Sequence, residues 1–149
     1  MAKFKYRLQN ILNIKRKMED QARQDFSTAR MLLDEEEARL QALIARKAEY
    51  EEEARALREG VLKIRELEEN KNAILTLENF VSAQRVQVDK AARNLEKARI
   101  RMTEAMQERK TQERLREKAF EEFLMEENRA ESKVIDELTS YTYGQKQEV

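Results

Sequence analysis

Residues 22–64 read ARQDFSTARMLLDEEEARLQALIARKAEYEEEARALREGVLKI. Steps of four and three through this stretch land on Ala22, Phe26, Ala29, Leu33, Glu36, Leu40, Leu43, Lys47, Tyr50, Ala54, Leu57, Val61 and Ile64, and only Glu36 and Lys47 break the apolar series. An apolar residue recurring every 3.5 positions keeps one side of a helix against a partner helix, so a seam held for six heptads marks a coiled coil. A second seam runs Ile74, Leu77, Val81, Gln84, Val88, Ala91, Leu95, Ala98, Met102 and Ala105, interrupted only by Gln84. It weakens where Arg109, Gln112 and Arg116 stand at apolar positions. It resumes with Ala119, Phe123, Ala130, Val134, Leu138 and Tyr141, shifted by about one position after Phe123, as a stutter would shift it.

Between the seams lies ELEENKNA, residues 66–73, polar and carrying Asn70 and Asn72. Asparagine tolerates left-handed geometry and caps a following helix, so the turn is expected here. Gly60 is the rival position, but Val61 and Ile64 keep the first seam in phase beyond it, and a single helical glycine costs only ~1 kcal/mol relative to alanine. The reading is one all-α domain spanning residues 1–149, a long antiparallel two-helix coiled-coil hairpin. Arm 1 covers about 3–67, the turn about 68–73, arm 2 about 74–142 and a short tail 143–149. Each arm is ~65 residues and ~100 Å long at 1.5 Å per residue.

Charge placement favours the hairpin over one unbroken helix. The chain is balanced, with 30 Lys+Arg against 30 Asp+Glu, yet Lys3 to Lys17 holds six basic residues and no acid. A turn near residue 71 sets this segment against residues 125–139, MEENRAESKVIDELT, one of the most acidic parts of the chain, with Glu126, Glu127, Glu131, Asp136 and Glu137 against Arg129 and Lys133. Exposed ion pairs are weak, ~0.3–0.5 kcal/mol each, so they select register more than they stabilise. The opening segment is partly like a transit peptide, but it lacks serines and its apolar stripe runs on into the body of the chain. A secretory signal is excluded by Lys15, Arg16 and Lys17, which occupy the place of an apolar run.

Composition narrows the chemistry. The absence of cysteine and histidine removes disulfides, most nucleophile–base pairs and most zinc sites. Two glycines and no GxxxxGK[ST] leave no phosphate loop. The acidic runs Asp34–Glu37 and Glu51–Glu53 read as solvated helix faces, so no enzyme, metal or cofactor is expected. No run approaches the ~18–20 apolar residues of a membrane span. Basic stretches are interleaved with acids, so nucleic acid is not an expected partner.

Two regions carry more apolar surface than a two-stranded seam uses. Phe4, Leu8, Ile11, Leu12, Ile14 and Met18 spread over roughly 160° of the first turns, and Phe120, Phe123, Leu124, Val134, Ile135 and Leu138 over roughly 120° of the last. These regions meet at the open end, where Leu12, Phe120, Leu124 and Ile135 are candidates to face a third surface. Leu75 and Phe80 fall off the second seam and form another exposed spot beside the expected turn.

The run F-x-Y-R-L-Q-x-I-L (Phe4, Tyr6, Arg7, Leu8, Gln9, Ile11, Leu12), with Glu19 beyond it, resembles the opening of the FliJ family of flagellar protein-export components. TLENFVSAQRVQVDKA, from Thr76, and EENRAESKVIDELTSYTY, from Glu126, resemble its middle and its acidic close. The resemblance implies a hairpin similar to the central stalk of rotary ATPases. Its open end would enter a hexameric flagellar export ATPase and promote activity, through Phe4, Tyr6, Arg7, Leu8, Ile11, Leu12, Phe123, Asp136 and Glu137. Leu77, Phe80 and Gln84 would contact the cytoplasmic domain of a membrane export-gate protein. The implied location is cytoplasmic and peripheral on the membrane at the flagellar base, through these partners, with export chaperones left open as further partners. An equivalent injectisome stalk, a free-standing dimerising scaffold and a membrane-surface helix of residues 3–17 are the alternatives.

Overall fold

The computed structural model describes residues 2–148, with side chains described through residue 145. Two helices make up nearly all of it: α1, Gln9–Leu57, and α2, Ile64–Glu148. They pack against each other as an all-α hairpin with no strand among the described residues. Two units each take a piece of both helices. The terminal unit is Met1–Asp20 with Glu104–Val149, and the central unit is Gln21–Thr103.

In the central unit every expected seam position from Ala22 to Leu57 is buried or half-buried, and so is every one from Ile74 to Met102. The polar breaks are satisfied across the seam. Gln84 Nε2 donates to the Glu36 carboxylate and, at 3.0 Å, to the Glu36 carbonyl oxygen. Lys47 Nζ lies 3.7 Å from Glu78 and 3.6 Å from Glu51. A polar pair inside an apolar seam fixes which layers face each other, because any slip leaves its members without partners.

The turn lies at residues 58–63, not 68–73. Arg58 N and Glu59 N donate to the Arg55 and Ala56 carbonyls at 3.2 Å, tightening the last turn of α1. Gly60 follows at φ +84°, a left-handed conformation that ends helices and that glycine adopts without a Cβ penalty. Val61 and Ile64, in phase with the seam by sequence, are 88% and 73% exposed. Leu67 N bonds the Lys63 carbonyl at 3.1 Å as α2 starts, with Glu66 favourably placed near its N-terminus. Residues 68–73 are helical, and Asn70 is buried, its Nδ2 donating to the Tyr50 carbonyl at 2.9 Å. Leu67, Asn70, Ile74 and Leu77 thus extend the second seam backwards, and the asparagine serves as a cross-helix contact.

Moving the turn moves the register. In the terminal unit Lys15 pairs with Glu108 at 2.9 Å, Arg16 with Glu113 at 3.5 Å, and Arg116 Nε donates to Gln9 Oε1 at 2.9 Å. The basic opening segment therefore lies against roughly residues 104–123, and the acidic stretch 125–139 is not its counter-strand. Regular structure also begins later than residue 3. Residues 2–6 are irregular, 7 and 8 form a turn, and Gln9 N bonds the Tyr6 carbonyl at 3.1 Å. At the other end α2 continues through 143–148, where a separate tail was expected; residue 149 lies outside the described residues.

Candidate functional site

The terminal unit is built around Leu12, the one fully buried large side chain among the described residues. Two turns further along α1, Glu19 is buried and receives Arg109 from α2: Nε to Oε2 at 2.5 Å and Nη2 to Oε1 at 3.3 Å. Arg109 Nη1 also donates to Glu113 Oε2 at 2.9 Å. These hydrogen bonds, Glu19 first and Glu113 second, hold the Arg109 pKa above its ordinary value, so the guanidinium stays charged. A planar fork matched to a carboxylate gives this clasp a direction as well as a strength. Arg109 occupies one of the seam positions where the sequence lacks an apolar residue, and Glu19 is its reason.

Beyond the clasp the irregular N-terminal segment brings Phe4 onto α2. Its ring centroid lies 5.1 Å from that of Phe120, edge-on, and 5.4 Å from that of Phe123. Phe120 and Phe123 are 6.4 Å apart and nearly parallel. The Arg116 guanidinium sits 5.5 Å over the Phe4 ring, a cation–π contact worth roughly 0.5–1 kcal/mol at an exposed site. The cluster is thus two rings from α2 closed by a third from the opposite terminus.

The expected open-end residues divide into four groups. Phe4 and Phe123 meet in the ring cluster; Phe120, expected to face a third surface, and Arg116, not foreseen, complete it. Tyr6 and Leu8 are half-buried, and Arg7 and Ile11 are exposed around the start of α1. Leu12 is fully buried, which corrects its expected role as a side chain facing a third surface. Asp136 and Glu137 form the fourth group. They lie on α2 about 20 Å beyond Phe123 at 1.5 Å per residue, in a stretch where residues 128–145 are all exposed.

A second candidate surface lies in the central unit. Leu43, Arg46 and Tyr50 of α1 and Ala73, Thr76, Leu77 and Phe80 of α2 line one shallow groove. Phe80 is 54% exposed and forms its prominent apolar edge, with Leu75 also exposed nearby in sequence. Leu77 is buried in the seam beneath, and Gln84 is occupied by Glu36. Of the three expected gate-contact residues, Phe80 alone is an exposed apolar side chain. Arg46 and Tyr50 were not foreseen because they belong to the other helix, and their proximity depends on the corrected register.

Among the described residues no group of three or more acidic side chains converges to hold a metal ion, and no helix is long and apolar enough to cross a membrane. What both surfaces offer is apolar contact area with charged borders, the chemistry of protein docking.

The family model described as flagellar FliJ protein matches residues 4–148. No curated protein matches the chain. Among solved structures, that of CT670 from Chlamydia trachomatis, described as a candidate YscO homologue, superposes with a TM-score of 0.67 at 24% identity. The superposition covers 98% of this chain and 99% of that one, and it shows a shared fold.

Proposed function

Because the chain belongs to the flagellar FliJ protein family, a non-enzymatic accessory component of type III protein export, we propose that it is the central stalk of the export ATPase. In this reading the terminal unit enters the pore of the hexameric ATPase and promotes its activity. The groove around Phe80 engages the membrane export gate, which keeps the protein at the cytoplasmic face of the membrane through its partners. The observation that supports it most is the ring cluster: Phe4 from the N-terminal segment and Phe120 and Phe123 from α2 form a single apolar knob. A ring of six identical subunits holding one asymmetric shaft presents a different contact to each subunit. Binding energy that differs between subunit conformations then favours a different conformation at each position, which links hydrolysis to movement of cargo. The flagellar description of the family favours this over an injectisome counterpart.

The test is ATP hydrolysis by the purified flagellar export ATPase of the same organism, with and without this protein. A saturable rise in rate is expected, and a variant lacking residues 1–14 is expected to lose it while most of its helix remains by circular dichroism. A full rise with the truncated protein, or none with the intact one, removes the reading.

A further inference from the structure

The seam of α2 does not stop where α1 and the N-terminal segment stop covering it. Phe123, Ala130, Val134, Leu138 and Tyr141 share one face at 100° per residue, the same face on which Phe123 receives Phe4. Val134, Leu138 and Tyr141 are 54%, 61% and 66% exposed. An isolated stretch of helix this long is marginal in water, because it has lost the packing that stabilises most protein helices. The shoulders of the stripe carry one sign of charge. Glu126, Glu127, Glu131 and Glu137 lie within roughly 70° of its midline, and Lys133 at roughly 90°; Arg129 and Asp136 are on the far side. None of those four glutamates is in an ion pair among the described residues.

We propose that this face, Phe123 to Tyr141, docks a basic amphipathic helix of a partner protein, which continues the apolar packing that Phe4 begins on Phe123. Continuity with the existing seam supplies the apolar match, and the acidic shoulders select the charge of the occupant, as flanking positions do in paired helices. The same shoulders disfavour a second copy of this chain, which would bring four carboxylates against four. The assignment rests on the reading of the terminal unit as the docking end, and it names the chemistry of what docks there.

The test uses the full chain and two synthetic peptides of three heptads, with identical Leu/Ile seams and either Lys/Arg or Glu at the flanking positions. Fluorescence anisotropy is expected to show saturable binding of the basic peptide only. Val134→Glu with Leu138→Glu should weaken it at least about tenfold, ~1.4 kcal/mol. Glu126→Lys, Glu131→Lys and Glu137→Lys together should switch the preference to the acidic peptide. These positions are exposed, so circular dichroism should be unchanged. Equal binding of both peptides, binding of neither, or a concentration-dependent dimer abolished by Leu138→Glu overturns the proposal. Failure here with normal ATPase stimulation refutes only this assignment; peptide binding without stimulation refutes the stalk.

Discussion

Glu36 in the central unit and Glu19 in the terminal unit are both α1 residues that reach a polar side chain of α2, yet they sit in different surroundings. Around the Glu36–Gln84 pair, buried or half-buried seam residues continue in both directions. The Glu19–Arg109 clasp stands next to a stretch where Leu12 of α1 lies level with Gln112 and Arg116, which replace apolar residues of α2. The central helices satisfy each other. The terminal unit concentrates its packing in Leu12, the clasp and three rings, then leaves α2 uncovered. A surface that a chain does not cover itself is where a partner has something to gain, so the contrast separates a self-satisfied central unit from the end for which docking is proposed.

The strongest way to break that contrast is Leu12→Ala. Leu12 is fully buried, and removing such a side chain costs about 3 kcal/mol through lost transfer energy and the cavity left behind. Amide exchange should accelerate over residues 9–20 and 104–123 while residues 26–57 keep their protection, because the central seam is complete without it. Equal acceleration along both helices would mean the two units open together, and the contrast would not describe stability.

Gln84→Leu tests the central unit with a smaller effect. It leaves the half-buried Glu36 carboxylate without its amide partner, and urea denaturation should register a loss of about 1–2 kcal/mol. Replacing both residues with leucine should recover that stability or exceed it, since an apolar pair of similar volume often equals or betters a buried polar one. What the double variant gives up is the penalty against slipped registers. A single variant as stable as the wild type would show that the pair does not set register.

Most of the fold was legible because heptad spacing is a strong, repeated signal. Each central seam residue from Ala22 to Leu57 was identified from spacing and is covered by its partner helix. The turn was not, because Val61 and Ile64 continue the phase although both are largely exposed, and Asn70 has turn chemistry yet hydrogen-bonds Tyr50. A signal was present: Leu67, Asn70, Ile74 and Leu77 keep three–four spacing through the supposed turn. The displaced turn carried the open end with it. The basic segment and residues 125–139 do complement each other in charge, but charge complementarity at the surface is weak beside one buried leucine and three rings. Phe4 and Phe123 were recognisable by resemblance, whereas Arg116 and Arg46 depend on which residues of the opposite helix stand across from them.

Gly60→Ala has the smallest expected effect, and its sign decides where the hairpin turns. A Cβ at residue 60 meets nothing within 4 Å, so no steric clash with neighbours enters. What remains is the backbone. At φ +84° an alanine is strained, and the substitution should destabilise by about 1 kcal/mol, with Gly60→Asn costing less because asparagine tolerates the left-handed region. Were the turn at 68–73, residue 60 would lie inside a helix, and the same Gly60→Ala change would stabilise by about 1 kcal/mol. The two arrangements differ by about 2 kcal/mol in one urea midpoint. A stabilised Gly60→Ala variant would return the acidic stretch 125–139 to the basic segment and remove the uncovered face on which the docking of a basic helix depends.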